Sequence, residues 1–180
     1  MTGGILSKIY NGFWTAVAAI PWLISARPSR TFAGVKGFFE QLRKDEGATL
    51  SIGAAGFCWG GNHVVTLSQG HEIDGKPLLD AGFTGHPSML SLPSDIEKMT
   101  RPVSFALAAS DAQISREQGE KLKAIVESKA SPATGEATIY EGTGHGFCVR
   151  ADIEKDDIAA QAAKSEDQCI NWFNAHFKAV

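Results

Sequence analysis

Cysteine is scarce: three in 180 residues, at positions 58, 148 and 169, with no C-x-x-C pair. An odd, sparse set of this kind argues against a disulfide framework and a cysteine metal knuckle, and reads as free thiols in a reducing, cytoplasmic compartment. An excess of one charge is lacking too. Seventeen Lys and Arg stand against 20 Asp and Glu, a formal net charge of -3, and no basic cluster offers a footprint for nucleic acid. No apolar run is long enough to cross a bilayer; the best, Phe13 to Ile24, falls short of a span and carries Pro21. Internal repeats and low-complexity segments are absent. What remains, 43% hydrophobic and 21% charged residues, suits one globular domain with a sizeable core.

The apolar segment 13–24 admits two readings. Lys8 before it and Ile24-Ser25-Ala26 after it give the outline of a signal peptide with a weak cleavage-like site. The favoured reading makes residues 1–28 an apolar helical lid or covering segment, packing Trp14, Trp22 and Leu23 over an apolar site. Residues 29–180 then form the main domain.

That domain is organised around Leu50 to Asn62. An apolar, small-residue run of strand length leads into Gly56-Phe57-Cys58-Trp59-Gly60-Gly61, and a helix-compatible run, His63 to Leu67, follows at once. This is a strand turning sharply into a helix with Cys58 at the apex, the G-x-S-x-G frame with a thiol replacing the hydroxyl. Gly56 and Gly60 are expected to remove collisions around the strained apex. The helix N-terminus would present free N–H groups that favour a thiolate and later an oxyanion. A buried structural cysteine in a glycine-rich turn is the plainer alternative.

The rest of the chain alternates. Ser29 or Thr31 is expected to cap a helix reaching Lys44, with Phe32, Val35, Phe38, Phe39 and Leu42 on one apolar face. Residues 70–77 read as a polar connection, Leu78 to Thr84 as a second strand, and Asp95 to Met99 as a helical turn. Pro102 to Ala109 reads as a third strand, and Ser115 as the cap of a helix to about Lys129 with Leu122, Ile125 and Val126 inward. Ala137 to Tyr140 reads as a fourth strand, and Asp156 to Lys178 as a final helix. Strands alternating with helices at this spacing predict an α/β fold with a mostly parallel sheet covered on both faces.

In such a sheet, functional groups gather beyond the carboxyl ends of the strands. Cys58, Asp111 and His145 fall there, in the order nucleophile, acid, histidine that α/β-hydrolases share. His145 can hold Cys58 as a thiolate and later protonate a leaving group, and Asp111 can fix the imidazole. Alternatively, Asp111 caps the next helix and His145 is a turn residue. Arg150 is a candidate fork for a substrate carboxylate, or an ordinary solvated arginine. His63, His71, His86 and His176 read as structural or surface residues, and Cys148 and Cys169 as packing.

The elbow, the strand ending Ala108-Ala109-Ser110-Asp111, and Gly144-His145-Gly146-Phe147 together resemble the dienelactone hydrolase family of α/β-hydrolases, from about residue 29 to the C-terminus. Ala81-Gly82-Phe83-Thr84-Gly85-His86-Pro87 is similar to its fungal-type branch. The resemblance implies a Cys-Asp-His triad of Cys58, Asp111 and His145, with the Trp59 N–H as an oxyanion donor. It further implies hydrolysis of small esters or lactones of the carboxymethylenebutenolidase type, with no metal or cofactor. Family members also carry several strands before the elbow, with a second oxyanion donor and a glutamate governing the cysteine. Here about 47 residues precede the elbow strand, so the sheet is expected to be N-terminally incomplete, with an exposed edge. Either the chain is a catalytically weak or inactive binding module, or a second copy covers that edge as a homodimer. Dinucleotide binding through Gly53-x-x-Gly56 is disfavoured, because its spacing departs from G-x-G-x-x-G and no suitable acidic residue follows.

Overall fold

The structure, a computed structural model, describes residues 4–177. In chain order the elements are α1 (Ile5–Ser25), α2 (Pro28–Lys44), a short 3-10 turn (Glu46–Ala48), β1 (Gly53–Phe57), α3 (Trp59–Leu67), β2 (Glu72–Ile73) and β3 (Lys76–Pro77). Then come β4 (Ala81–Gly85), α4 (Ser94–Glu97), β5 (Val103–Ser110), α5 (Arg116–Ser128), β6 (Glu136–Gly144), α6 (Phe147–Arg150) and α7 (Asp156–His176).

Four strands form one sheet in the order β1-β4-β5-β6, every pairing parallel. Within β5 the side chains alternate between two cores. Phe105 and Leu107 point to one, shared with Val64, Val65 and Leu122. Ala106 and Ala108 point to the other, shared with Phe83, Tyr140 and Trp172. Helices α3 and α5 thus cover one face and α6 and α7 the other, which is why β4 and β5 read as nearly unbroken apolar or small runs.

Several local expectations need correction. Helix α2 starts at Pro28, with Ser29 and Thr31 inside its first turn. Proline lacks an N–H and holds a helical φ, so it suits the first helical position. Thr31 instead donates from its hydroxyl to the carbonyl of Arg27 at 3.2 Å. Phe32, Val35 and Phe39 pack on the core, but Phe38 lies beyond the rim of that stripe and is exposed. The connection 70–77 holds a two-residue hairpin, β2–β3, turned by Asp74 and Gly75, both at positive φ (51° and 72°). Asp-Gly is the sequence signal for that turn. Strand β4 begins only at Ala81; Leu78 and Leu79 are fully buried before it. Strand β6 runs four residues past Tyr140, and α6 follows it as an extra short helix. The expected cap Ser115 does start α5, as a capping box with Gln118. Helix α7 ends at His176; Lys178 lies outside the described residues.

One buried cation sets where β1 begins. The Arg43 guanidinium donates to the carbonyls of Pro77, Gly47 and Leu50 at 2.8–2.9 Å and to Asp80 Oδ2 at 2.6 Å. Asp80 also accepts from the Ile52 N–H at 2.7 Å. One fork therefore ties the end of α2 to the entries of β1 and β4.

Helix α1 continues past Pro21 to Ser25. Its residues Ile9, Tyr10, Phe13 and Val17 are exposed, and Trp14, expected above to cover an apolar site, is 52% exposed with ring contacts to Tyr10 and Phe13 of the same helix. The side chains of Trp22 and Leu23 lie outside the described residues. Among the described residues, no helix is long and apolar enough to cross a membrane.

Candidate active site

Cys58 sits between β1 and α3 with φ 51° and ψ -119°, a conformation side-chain-bearing residues rarely adopt. The surroundings hold it there. Its N–H donates to the carbonyl of Gly85 at 3.1 Å, and its own carbonyl accepts from Gly61 and Ser88 at 3.1 and 3.0 Å. Glycine is required at Gly56, where a Cβ would meet Val64 at 2.7 Å and drive into the Gly60 carbonyl. It is also required at Gly61, where a Cβ would strike Thr84 and Pro87. Gly60 is different: nothing lies within 4 Å of a Cβ built there. The second collision expected at Gly60 in fact belongs to Gly61, which packs onto β4.

Asp111 and His145 meet through strand pairing. Ser110 at the end of β5 is in register with Gly144 at the end of β6, past an irregularity at Ala108–Ser110. The next residue on each strand is therefore Asp111 and His145. Asp111 Oδ2 lies 2.8 Å from His145 Nδ1, and Asp111 Oδ1 accepts from the Gln113 N–H at 2.8 Å, so one carboxylate both shapes its turn and orients the ring. His145 Nε2 lies 3.0 Å from Cys58 Sγ. The sulfur, the imidazole and the carboxylate form one connected row. It links β1 at one side of the sheet to β6 at the other, passing over the tip of β4.

The electrostatics of the row shift both the sulfur and the imidazole. Partial burial works against a charged Cys58. Hydrogen bonds from His145, Ser88 and the Trp59 N–H, with the charge of His145, outweigh it, and the thiol pKa is lowered. For His145 burial again opposes charge, but bonding to Cys58 and Asp111 and the charges of both raise its pKa. Each shift moves its group toward the charged form, the thiol toward thiolate and the imidazole toward imidazolium. Cys148 behaves oppositely: burial pushes its thiol up to about 11, and burial raises Cys169 as well. Both line a cavity of about 420 Å³ with Phe57, Phe83 and Ser165.

The Trp59 N–H reaches the sulfur, and its indole Nε1 donates to the carbonyl of Ala26 at 2.5 Å, tying the elbow to the end of α1. Arg150 folds back over Gly146, whose left-handed backbone (φ 97°) leaves room for it. A Cβ at Gly146 would come within 2.9 Å of the guanidinium. Arg150 is exposed beside His145 and, among the described residues, carries no ion pair.

Two residues of the site escaped the sequence. His86, read there as structural or surface, is 1% exposed with its ring centroid 4.9 Å from that of His145. Burial and the neighbouring His145 charge push its pKa down to about 4, so it is a neutral wall. Ser88 lies under Cys58. Both sit in the turn after β4, where the Gly-His-Pro-Ser run directly after a buried strand, His86 within the fungal-type segment, was the signal for them. Among the described residues, no group of three or more His, Cys, Asp or Glu is arranged to hold a metal ion.

A model of the dienelactone hydrolase family matches residues 17–177. The chain belongs to that family. Among curated proteins, the hydrolase tropI of Talaromyces stipitatus is 32% identical over 127 residues, covering 71% of this chain and 46% of that protein. The hydrolase pyvD of Aspergillus violaceofuscus is 27% identical over 157 residues, covering 87% and 60%. The chain thus spans about half the length of the curated relatives it matches. A solved structure from Klebsiella pneumoniae, assigned as a dienelactone hydrolase, superposes with a TM-score of 0.61 at 20% identity, over 81% of this chain and 61% of that one. At that identity the match speaks for the fold. This dienelactone hydrolase-family chain is an α/β-hydrolase sheet with helices on both faces, four strands of which are described.

Proposed function

We propose that the chain hydrolyses small esters or lactones through a Cys58–His145–Asp111 triad and a covalent acyl-enzyme, as a carboxymethylenebutenolidase-type enzyme. The observation that carries this is the connected row: 3.0 Å from sulfur to Nε2 and 2.8 Å from Nδ1 to the carboxylate. The Cys58 thiolate adds to the substrate carbonyl, and the resulting oxyanion accepts from the Trp59 N–H. The tetrahedral adduct collapses, the C–O bond breaks, and the alkoxide takes the proton of His145 Nε2. Neutral His145 then takes a proton from water, the hydroxide attacks the thioester, and the sulfur leaves as thiolate. Asp111 holds the ring throughout and offsets its charge.

Arg150 extends the reading to substrate. An exposed guanidinium with no ion pair among the described residues, folded over Gly146 next to His145 in the chain, suits an ester or lactone that carries a carboxylate. The free thiols fit a reducing, cytoplasmic setting. The decisive test is turnover of a dienelactone and of p-nitrophenyl acetate. Cys58→Ala should lose at least about 10³-fold in kcat/KM, and unchanged turnover in that variant ends the mechanism.

A second reading has its own support in the outer position of β1 and the exposed apolar face of α1. On this reading the chain is a weakly active or inactive binding module, or pairs with a second copy along β1. A sedimentation measurement showing a dimer, together with no turnover of either ester, would favour it.

A further inference from the structure

The turn after β4 carries a side chain that neither strand-end position nor motif singles out. Ser88 is 5% exposed. Its N–H donates to the Cys58 carbonyl at 3.0 Å, and Asn62 Nδ2 donates to the carbonyl of the next residue, Met89, at 2.7 Å. The turn is therefore fastened to the elbow from both sides, with His86 and Met89 at positive φ (38° and 58°). So held, Ser88 Oγ lies 3.7 Å from Cys58 Sγ, within the longer reach that sulfur's radius gives a hydrogen bond. Among the described residues this hydroxyl has no other hydrogen-bond partner.

A serine hydroxyl can donate or accept. Beside a thiol the direction of the bond is open; beside a thiolate it is fixed, because the sulfur can only accept. Ionising Cys58 thus gains a charge-assisted bond that the neutral state lacks. We propose that Ser88 donates to the Cys58 thiolate and, with the His145 ring N–H and the Trp59 backbone N–H, completes a cradle that holds the nucleophile ionised. This rests on the cysteine-nucleophile reading above. The Ser88 bond is among the influences that lower the thiol pKa. The same hydroxyl serves the second half of the reaction. When the deacylating adduct collapses, the C–S bond breaks and its electron pair returns to sulfur; Ser88 donates a hydrogen bond to that charge without giving up its proton.

The charged and titratable groups around the thiolate are few. His145 faces it directly, Asp111 and His86 face His145, and Arg150 lies beyond, within electrostatic reach of His86. None is removed by changing Ser88. The test is the pH dependence of iodoacetamide alkylation of Cys58 in the full chain, followed by peptide mass spectrometry. In Ser88→Ala the midpoint should rise by about 0.5–1 pH unit. An isosteric pair guards against a folding effect: Ser88→Thr should keep the wild-type midpoint and Ser88→Val should show the raised one. A wild-type midpoint well below that of an ordinary thiol, left in place by both Ala and Val, overturns the Ser88 assignment alone. A wild-type Cys58 that reacts no faster than Cys148 and Cys169 takes down the nucleophile reading and this inference with it.

Discussion

At Cys58, backbone strain and side-chain chemistry are joined. The positive φ turns the sulfur out of the sheet toward His145, and the three bonds to Gly85, Gly61 and Ser88 keep it there. On the mechanism proposed above, Cys58, His145 and Asp111 act as a unit, so their losses should not add. His145→Gln and Asp111→Asn should each reduce kcat/KM by about 10²–10⁴-fold, and the double variant by little more than the worse single one, in steady-state turnover of p-nitrophenyl acetate. His86 gives a separate prediction, on stability. Its folded pKa is near 4, below the ordinary 6.5, so between those values the unfolded chain binds more protons. The stability it contributes is complete above pH 6.5 and is lost as pH falls toward 4. Burial lowers His63 and His71 in the same direction, while His145, whose pKa is raised, works the other way, contributing stability below 6.5 that is lost above it. For His86 alone the loss is on the order of 3 kcal/mol, which would move Tm by roughly 6–12 °C. His86→Phe should flatten that acid limb in melting curves taken from pH 7 to 4.

Among elements, the turn from β1 into α3 and the ties around it carry the site. Gly56→Ala should cost about 3 kcal/mol or more in urea unfolding, since the new Cβ meets backbone. Gly60→Ala should be neutral or stabilise by up to about 1 kcal/mol, because open space surrounds a helical position. That contrast cannot be read from the motif, in which the two glycines look equivalent. Arg43→Met leaves Asp80 half-buried without its cation and should cost about 3–5 kcal/mol. The same contrast shows what the sequence could carry. Cys58, Asp111 and His145 each stand one residue past a strand; the first two ends are visible as apolar or small runs meeting Cys or Ser-Asp, whereas the polar end of β6 beyond Tyr140 is not, and His145 stood out only by its glycine neighbours. Arg43 looked like any arginine at the end of an amphipathic helix, because its partners lie in three segments up to 37 residues away. His86 and Ser88 were hidden for a related reason: no one-dimensional pattern says that a turn will double back beneath another strand's tip.

At the scale of the whole molecule, the outer sides of β1 and β6 have no paired strand among the described residues, and α1 exposes an apolar face. Phe13 and Ile20 are more than half exposed. Replacing both with Glu should leave Tm within about 2 °C, as surface changes do, and should lower any self-association seen by light scattering. A Tm drop well beyond that would mean that α1 belongs to the folding core.

The row of Cys58, His145 and Asp111 runs from β1 on one flank of the sheet to β6 on the other, some three strand spacings or about 14 Å away. Its 3.0 Å sulfur–nitrogen contact is therefore a gauge of how faithfully all four strands keep their places. A slight slackening at either flank would part sulfur from imidazole while most backbone bonds endure. On the proposed mechanism, turnover should accordingly fade at urea concentrations where circular dichroism still records an intact protein, making activity a sensitive witness to loosening of the sheet.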